Sequence, residues 1–203
     1  MPFVLLGQAL ASMNGNKEGF NAPLSTMCRV QIAVTPIGPK LPKFQAYHSS
    51  IIIGGIEFSW SAQGISRNHG TASHNMLRQQ LGRSTTILEA GSHTVDIAAF
   101  SMRMNRFFQV GTYDFLRKNC NAFTDVALYC VAGQRLPKKY RYLESVGRSA
   151  DKHTRLVQAI SGGKYRPNPR ADGFELEAAA REIDRDRTTC LAMAQPMRAG
   201  IRF

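Results

Sequence analysis

Residues Gly111–Gly133 read G-T-Y-D-F-L-R-K-N-C-N-A-F-T-D-V-A-L-Y-C-V-A-G. Within this stretch Phe123, Val126, Ala127, Cys130 and Val131 recur at the i, i+3, i+4, i+7, i+8 spacing of one buried helical face. Asn119 supplies a start, because its side-chain oxygen can accept a first-turn amide that has no partner inside the helix. Gly133 supplies a stop, since glycine alone takes the left-handed closing position without strain. The spacing therefore predicts a helix that begins at Cys120. Unpaired N–H groups and the positive end of the helix dipole favour an anion there, so a thiol loses its proton more readily. The thiolate is the nucleophilic form.

A cysteine alone carries little weight, because cysteine is among the most often buried residue types. A histidine in the right setting adds to it. Tyr47-His48-Ser49-Ser50-Ile51-Ile52-Ile53 reads as a strand, Gly54-Gly55 as a two-residue turn, and Ile56-Glu57-Phe58-Ser59-Trp60 as the returning strand. His48 falls near the start of the first strand, where its ring can stand at the sheet's end. A histidine so placed can take a proton from a thiol or hold a thiolate–imidazolium pair.

These two stretches, with L-E-A-G between them, resemble the PPPDE family of thiol peptidases, the DeSI-type deSUMOylating isopeptidases. The family carries its histidine in a Y-H-x-x-[IV]-x-[IV]-x-G-x-E-[YF] hairpin and its cysteine in Y-[DN]-x-x-x-x-N-C-N-x-F. Both patterns occur here in that order, and the resemblance covers residues 26 to 148. It implies an α+β, permuted papain-like fold: a small, mostly antiparallel sheet packed with helices, with the nucleophile at a helix N-terminus. Cys120 then corresponds to the nucleophile and His48 to its base, as a dyad. Asn119 and Asn121 become candidates for supporting the nucleophile or the oxyanion, and the helix-start amide of Cys120 a natural oxyanion donor. Trp60, which reads as either core or groove wall, and Tyr113 are candidates for walls of the substrate groove. Tyr113 and Asp114 match the motif and also read as structural supports. The implied partners are SUMO or ubiquitin conjugates, and a homodimer is a family-level expectation. One departure stands out: relatives carry glycines just after F-S-[FW], whereas Ser61-Ala62-Gln63 intervenes here.

Two other classes compete. A thioesterase or acyltransferase, either a depalmitoylase or one like the lecithin–retinol acyltransferases, would use the same dyad. That second family has N-C-E-H-F, and Asn121-Ala122-Phe123 lacks its Glu-His. A catalytically silent binding module would be marked by loss of a dyad member, and both are present.

The 203 residues, 43% hydrophobic, suit one domain with appendages. We divide them into a disordered lead (1–25), a catalytic domain (26–150) and a mixed-charge, partly helical extension (151–203). In the lead, Phe3 to Ala11 lacks a positive n-region and is broken by Gly7 and Gln8, so a signal peptide is not expected. No run reaches the ~18 apolar residues of a membrane span. The four cysteines form no CxxC pair, so neither a zinc knuckle nor a disulfide framework is indicated. A catalytic thiol needs a reducing compartment: the cytosol, with nuclear access.

Met27 to Thr35 reads as a strand ended by Pro36-Ile37-Gly38-Pro39, and Lys40 to Lys43 as a loop near the site. Ser61 to Ser84 reads as a long polar loop holding His69 and His74 as solvated histidines. No metal site and no organic cofactor are expected. Thr85 to Glu89 reads as a strand, and Ile97, Phe100, Met104, Phe107 and Phe108 as an amphipathic helix capped by Asp96. In the extension, helices are expected at 151–160 and from Phe174 to Ala194, the latter with too few large apolar residues for firm packing. The net charge of +12 lies mainly between residues 26 and 150, with 15 Lys and Arg against six Asp and Glu. A basic surface draws acidic partners. No nucleic-acid-binding signature accompanies it, so nucleic acid is not an expected partner.

Overall fold

The computed structural model describes residues 25–41, 44–141, 163 and 165–193; residues 1–24 of the expected lead, residues 42 and 43 of the Lys40–Lys43 loop and the helix at 151–160 lie outside the described residues. Runs of Val and Ile become strands of one antiparallel sheet. These are β1 (Thr26–Leu41), β2 (Phe44–Ile53), β3 (Ile56–Ser61), β4 (Gly64–His69) and β5 (Thr86–Val95), in the order β4-β3-β2-β1-β5. Gly54 and Gly55 both take positive φ, 58° and 83°, as a two-residue hairpin turn of the right twist requires. The turn sets Ile52 opposite Glu57 and Ile51 opposite Phe58. Because side chains alternate, Ser49, Ile51, Ile53, Phe58 and Trp60 share one face, while His48, Ser50, Ile52 and Glu57 share the other.

Helices cover the first face. α2 (Ile97–Phe107) opens at Asp96, whose Oδ1 accepts the Ala98 and Ala99 amides at 2.9 and 3.0 Å. α3 (Cys120–Ala132) opens at Asn119, whose Oδ1 accepts the Asn121 and Ala122 amides, and closes at Gly133 with φ 67°. Both caps follow the sequence reading. Aromatic rings knit the layers edge to face: Phe58 on Phe100 at 5.0 Å, Trp60 on Phe108 at 5.5 Å, and Phe108 on Phe123 at 5.2 Å. Each such pair contributes about 0.5–1.5 kcal/mol beyond its area.

α3 departs from the expected one-sided stripe, being buried continuously from Cys120 to Leu128. The cause is α4 (Leu176–Met193), which lies against it with Leu176, Ala179 and Ile183 in the core. Arg187 donates to the Tyr129 and Cys130 carbonyls at the end of α3. Three apolar residues at i, i+3 and i+7 make a sufficient stripe, so the extension packs more firmly than its composition implied.

Other expectations need correction. β1 continues past Pro36 because its pairing with β5 ends at Val34, leaving that side an edge where a missing N–H costs nothing. β5 runs on to Val95, and within it His93 bonds the Ala90 carbonyl through Nε2 at 2.8 Å. The Ser61–Ser84 segment is no loop. It holds the exposed edge strand β4, a 3-10 turn (Ala72–His74) and α1 (Asn75–Leu81), closed by Gly82 in the left-handed conformation. Trp60 is core, 1% exposed, with Nε1 donating to the Lys118 carbonyl at 3.5 Å, and it does not line the groove. Among the described residues no helix is long and apolar enough to cross a membrane.

Candidate active site

The N-terminus of α3 meets the end of the sheet at β2. Asn121, one residue past Cys120, donates through Nδ2 to the Tyr47 carbonyl at 3.0 Å and accepts from the Ser49 hydroxyl at 2.7 Å. The two residues flanking His48 are thus pinned to the residue following Cys120. That pair of hydrogen bonds sets histidine and thiol in register, a positioning task for Asn121. Asn119 is likewise committed, its Nδ2 donating to the Phe115 carbonyl at 2.9 Å while its Oδ1 caps the helix. Tyr47 is held from behind by the Tyr140 ring, edge to face at 4.9 Å.

His48 and Cys120 line the same cleft, close enough that the charge of each governs the ionisation of the other. Burial opposes ionisation of the Cys120 thiol, but the His48 charge, the hydrogen bond to its ring, and the Ser49 and Asn121 amides outweigh it. The thiol is held below its ordinary value. Burial also disfavours the His48 imidazolium, yet the Cys120 charge and hydrogen bond, with the Glu57 charge, hold it above the ordinary 6.5. Both directions favour the thiolate–imidazolium pair. Cys120 retains 6% exposure and lines a cleft of about 230 Å³ with His48, Ser73 and Tyr113. The rest of that lining is mostly apolar: Ile37, Tyr47, Met76, Leu77 and Phe115.

Tyr113 reaches Cys120 as well. Its phenol shares the cleft with the thiol, and burial together with the Cys120 charge raises its ionisation well above the ordinary value. Tyr113 lines the cleft beside the nucleophile. The segment carrying it is clamped by the extension. Asp114 accepts from the Leu116, Arg117 and Asn168 amides at 2.9, 2.8 and 2.8 Å and from the Tyr165 hydroxyl at 3.1 Å. Asn168 Nδ2 donates back to the Gly111 and Tyr113 carbonyls.

Three site residues escaped the sequence reading. His48 Nε2 lies 3.0 Å from Ser73 Oγ, and Ser73 donates to Glu57 Oε1 at 2.6 Å. The Ser73 amide and the Ser50 hydroxyl also donate to Glu57, which is fully buried. His74, expected in solvent, is fully buried between Thr35 and Ser50, at 2.7 and 3.0 Å. Burial, with the charges of His48 and Arg78, pushes it down to about 3, so it is neutral and its 3.6 Å approach to Glu57 is no ion pair. Glu57 stood in the quoted hairpin, and strand alternation puts it on the face of His48, a signal that could have been used. Nothing local marked Ser73 or His74. His69, by contrast, is exposed on β4 as read. Among the described residues no group of three or more His, Cys, Asp or Glu side chains could hold a metal ion.

Residues 25–161 match the family model described as "PPPDE putative peptidase domain". The chain belongs to the PPPDE peptidase family. A search of curated proteins finds no match. The small α+β architecture is that of a PPPDE domain, and the family assignment points to a peptidase-type hydrolase.

Proposed function

We propose that this PPPDE domain is a cysteine isopeptidase that cleaves SUMO or ubiquitin from lysine through Cys120 and His48. The supporting observation is that His48 and Cys120 line one mostly apolar cleft, with both groups biased toward the ion pair. The Cys120 thiolate attacks the carbonyl carbon, and the C=O electron pair moves onto oxygen. As the C–N bond breaks, the imidazolium gives its proton to the leaving lysine amine. His48 then takes a proton from water, whose oxygen attacks the thioester; the acid departs and the ion pair is restored. The Cys120 amide and the Tyr113 hydroxyl are the two oxyanion donors in this scheme. We propose the cytosol, with nuclear access, as its compartment, because a catalytic thiol needs reducing surroundings.

The apolar lining favours a second reading, a thioesterase that removes fatty acyl groups from protein cysteine, because Ile37, Met76, Leu77 and Phe115 suit an alkyl chain. One panel separates them: purified protein with SUMO-, ubiquitin- and S-acyl-linked substrates. Cleavage of a modifier conjugate supports the isopeptidase, cleavage of the acyl substrate alone supports the thioesterase, and cleavage of none removes both.

Tyr113→Phe is expected to lower kcat by about 10²-fold, the scale of one lost oxyanion donor, with KM little changed. A change confined to KM would reduce Tyr113 to a groove wall. The pH profile of kcat/KM follows from the two shifts. Activity rises as Cys120 deprotonates, below the ordinary thiol value of 9.0, and falls as His48 loses its proton, above 6.5. The two limbs belong to the coupled pair. A single limb near the ordinary thiol value would remove the ion pair.

A further inference from the structure

We infer that Ser73 and Glu57 are positioning residues for His48, a hydroxyl and a buried carboxylate that fix which ring nitrogen faces the nucleophile. The inference rests on the Cys120–His48 reading above and adds to it the group that orients the base.

Donor counting carries it. Ser73 has one hydroxyl proton, and that proton goes to Glu57 Oε1 at 2.6 Å. Its oxygen can then only accept from His48 Nε2–H, 3.0 Å away. Nε2 keeps its proton throughout, and Nδ1 is left to exchange one with Cys120 and substrate. Glu57 cannot rotate away. Its Oε1 also accepts from Ser50 at 2.7 Å, its Oε2 accepts the Ser73 amide at 2.9 Å, and it is fully buried. Behind it the order of donors is equally fixed. Ser50 gives its proton to Glu57, so it accepts from His74 Nε2–H, and His74 Nδ1 accepts from Thr35. His74 is therefore a neutral spacer, with its ring 4.5 Å from that of His48.

The titratable and charged groups facing His48 are Cys120 from α3, Tyr113 from the approach to α3, Glu57 from β3 and His74 from the 3-10 turn, with Arg78 of α1 acting on His74. Glu57 alone among them is joined to the far ring nitrogen, through Ser73. A purely structural role, gluing the 3-10 turn to the sheet, predicts no effect on His48 once the protein is folded.

The test uses the full chain and follows iodoacetamide alkylation of Cys120 against pH, with kcat and KM on the substrate found in the panel. In Ser73→Ala the alkylation limb moves up by about one pH unit. kcat falls about ten- to a hundredfold at nearly constant KM, the size of one charge-assisted hydrogen bond. Glu57→Gln moves both in the same direction, and Ser73→Thr, which keeps the hydroxyl, restores most of the loss. A folded Ser73→Ala protein with the wild-type limb and kcat overturns the relay and leaves the dyad standing. Wild-type Cys120 with no acid-shifted limb overturns the dyad reading and the relay with it. Where the variants fail to fold, ¹⁵N NMR of wild-type His48 above its titration decides. The Nε2–H tautomer supports the relay, and the Nδ1–H tautomer overturns it.

Discussion

Cys120→Ala removes hydrolysis and the labelling of position 120 by a thiol-reactive probe, and His48→Ala lowers both, the first by about 10⁴-fold or more. The reason lies in the coupling. Without His48 the buried thiol loses the charge and hydrogen bond that oppose burial, so its ionisation moves up, and no group remains to protonate the leaving amine. The folds of both variants should survive. Alanine is smaller than cysteine at a site that opens on the cleft, and His48 is only half-buried. Labelling at Cys28 or Cys130 gives an internal comparison, since both are free and partly accessible. A His48→Ala protein that labels and turns over like wild type would take away the dyad.

Asp114→Ala has the largest expected effect on stability. Its carboxylate, 2% exposed, collects three backbone amides and the Tyr165 hydroxyl, so its loss leaves four donors without their acceptor. At about 1–3 kcal/mol for a fully buried orphan and less for those that reach water, the loss is about 3–5 kcal/mol, readable as a lower denaturant midpoint. Activity per folded molecule should fall as well, since the same carboxylate shapes the turn that carries Tyr113. Tyr165 gives an independent readout. Burial, with the Asp114 charge and hydrogen bond, pushes its phenol up to about 12. This folded value lies above the unfolded 10.0, so the stabilisation is full below pH 10.0 and is lost as pH rises through about 12. Asp114→Asn should bring the Tyr165 ultraviolet titration back toward 10.0. An unmoved titration together with unchanged stability would mean that the extension does not hold this turn.

The local elements near the nucleophile were legible because their signals are local. The Asn119 cap, the Gly133 stop, the Gly54-Gly55 hairpin and the Asp96 cap each depend on the chemistry of a few adjacent residues. Where reading failed, the decisive partner lay far along the chain. β4 has no apolar alternation because it is an exposed edge, and α1 is only seven residues long, so neither announces itself. Pro36 was taken for a strand end because the sequence does not reveal that β5 stops opposite Val34. Trp60 offered two fates, and the Phe108 ring with the Lys118 carbonyl decided for the core.

By itself the sequence determined the family, the α+β class, and a thiol at the first turn of a helix, because helix periodicity, capping and hairpin chemistry are written within a few residues. Only the tertiary structure decided what stands behind His48, namely that a serine 25 residues onward and a carboxylate from the returning strand meet its far nitrogen. It also decided that the weakly apolar tail seals the outer side of α3 and grips the turn before Cys120. Hydrogen bonds between distant segments depend on where the backbone carries each donor, and residue type and spacing do not encode that.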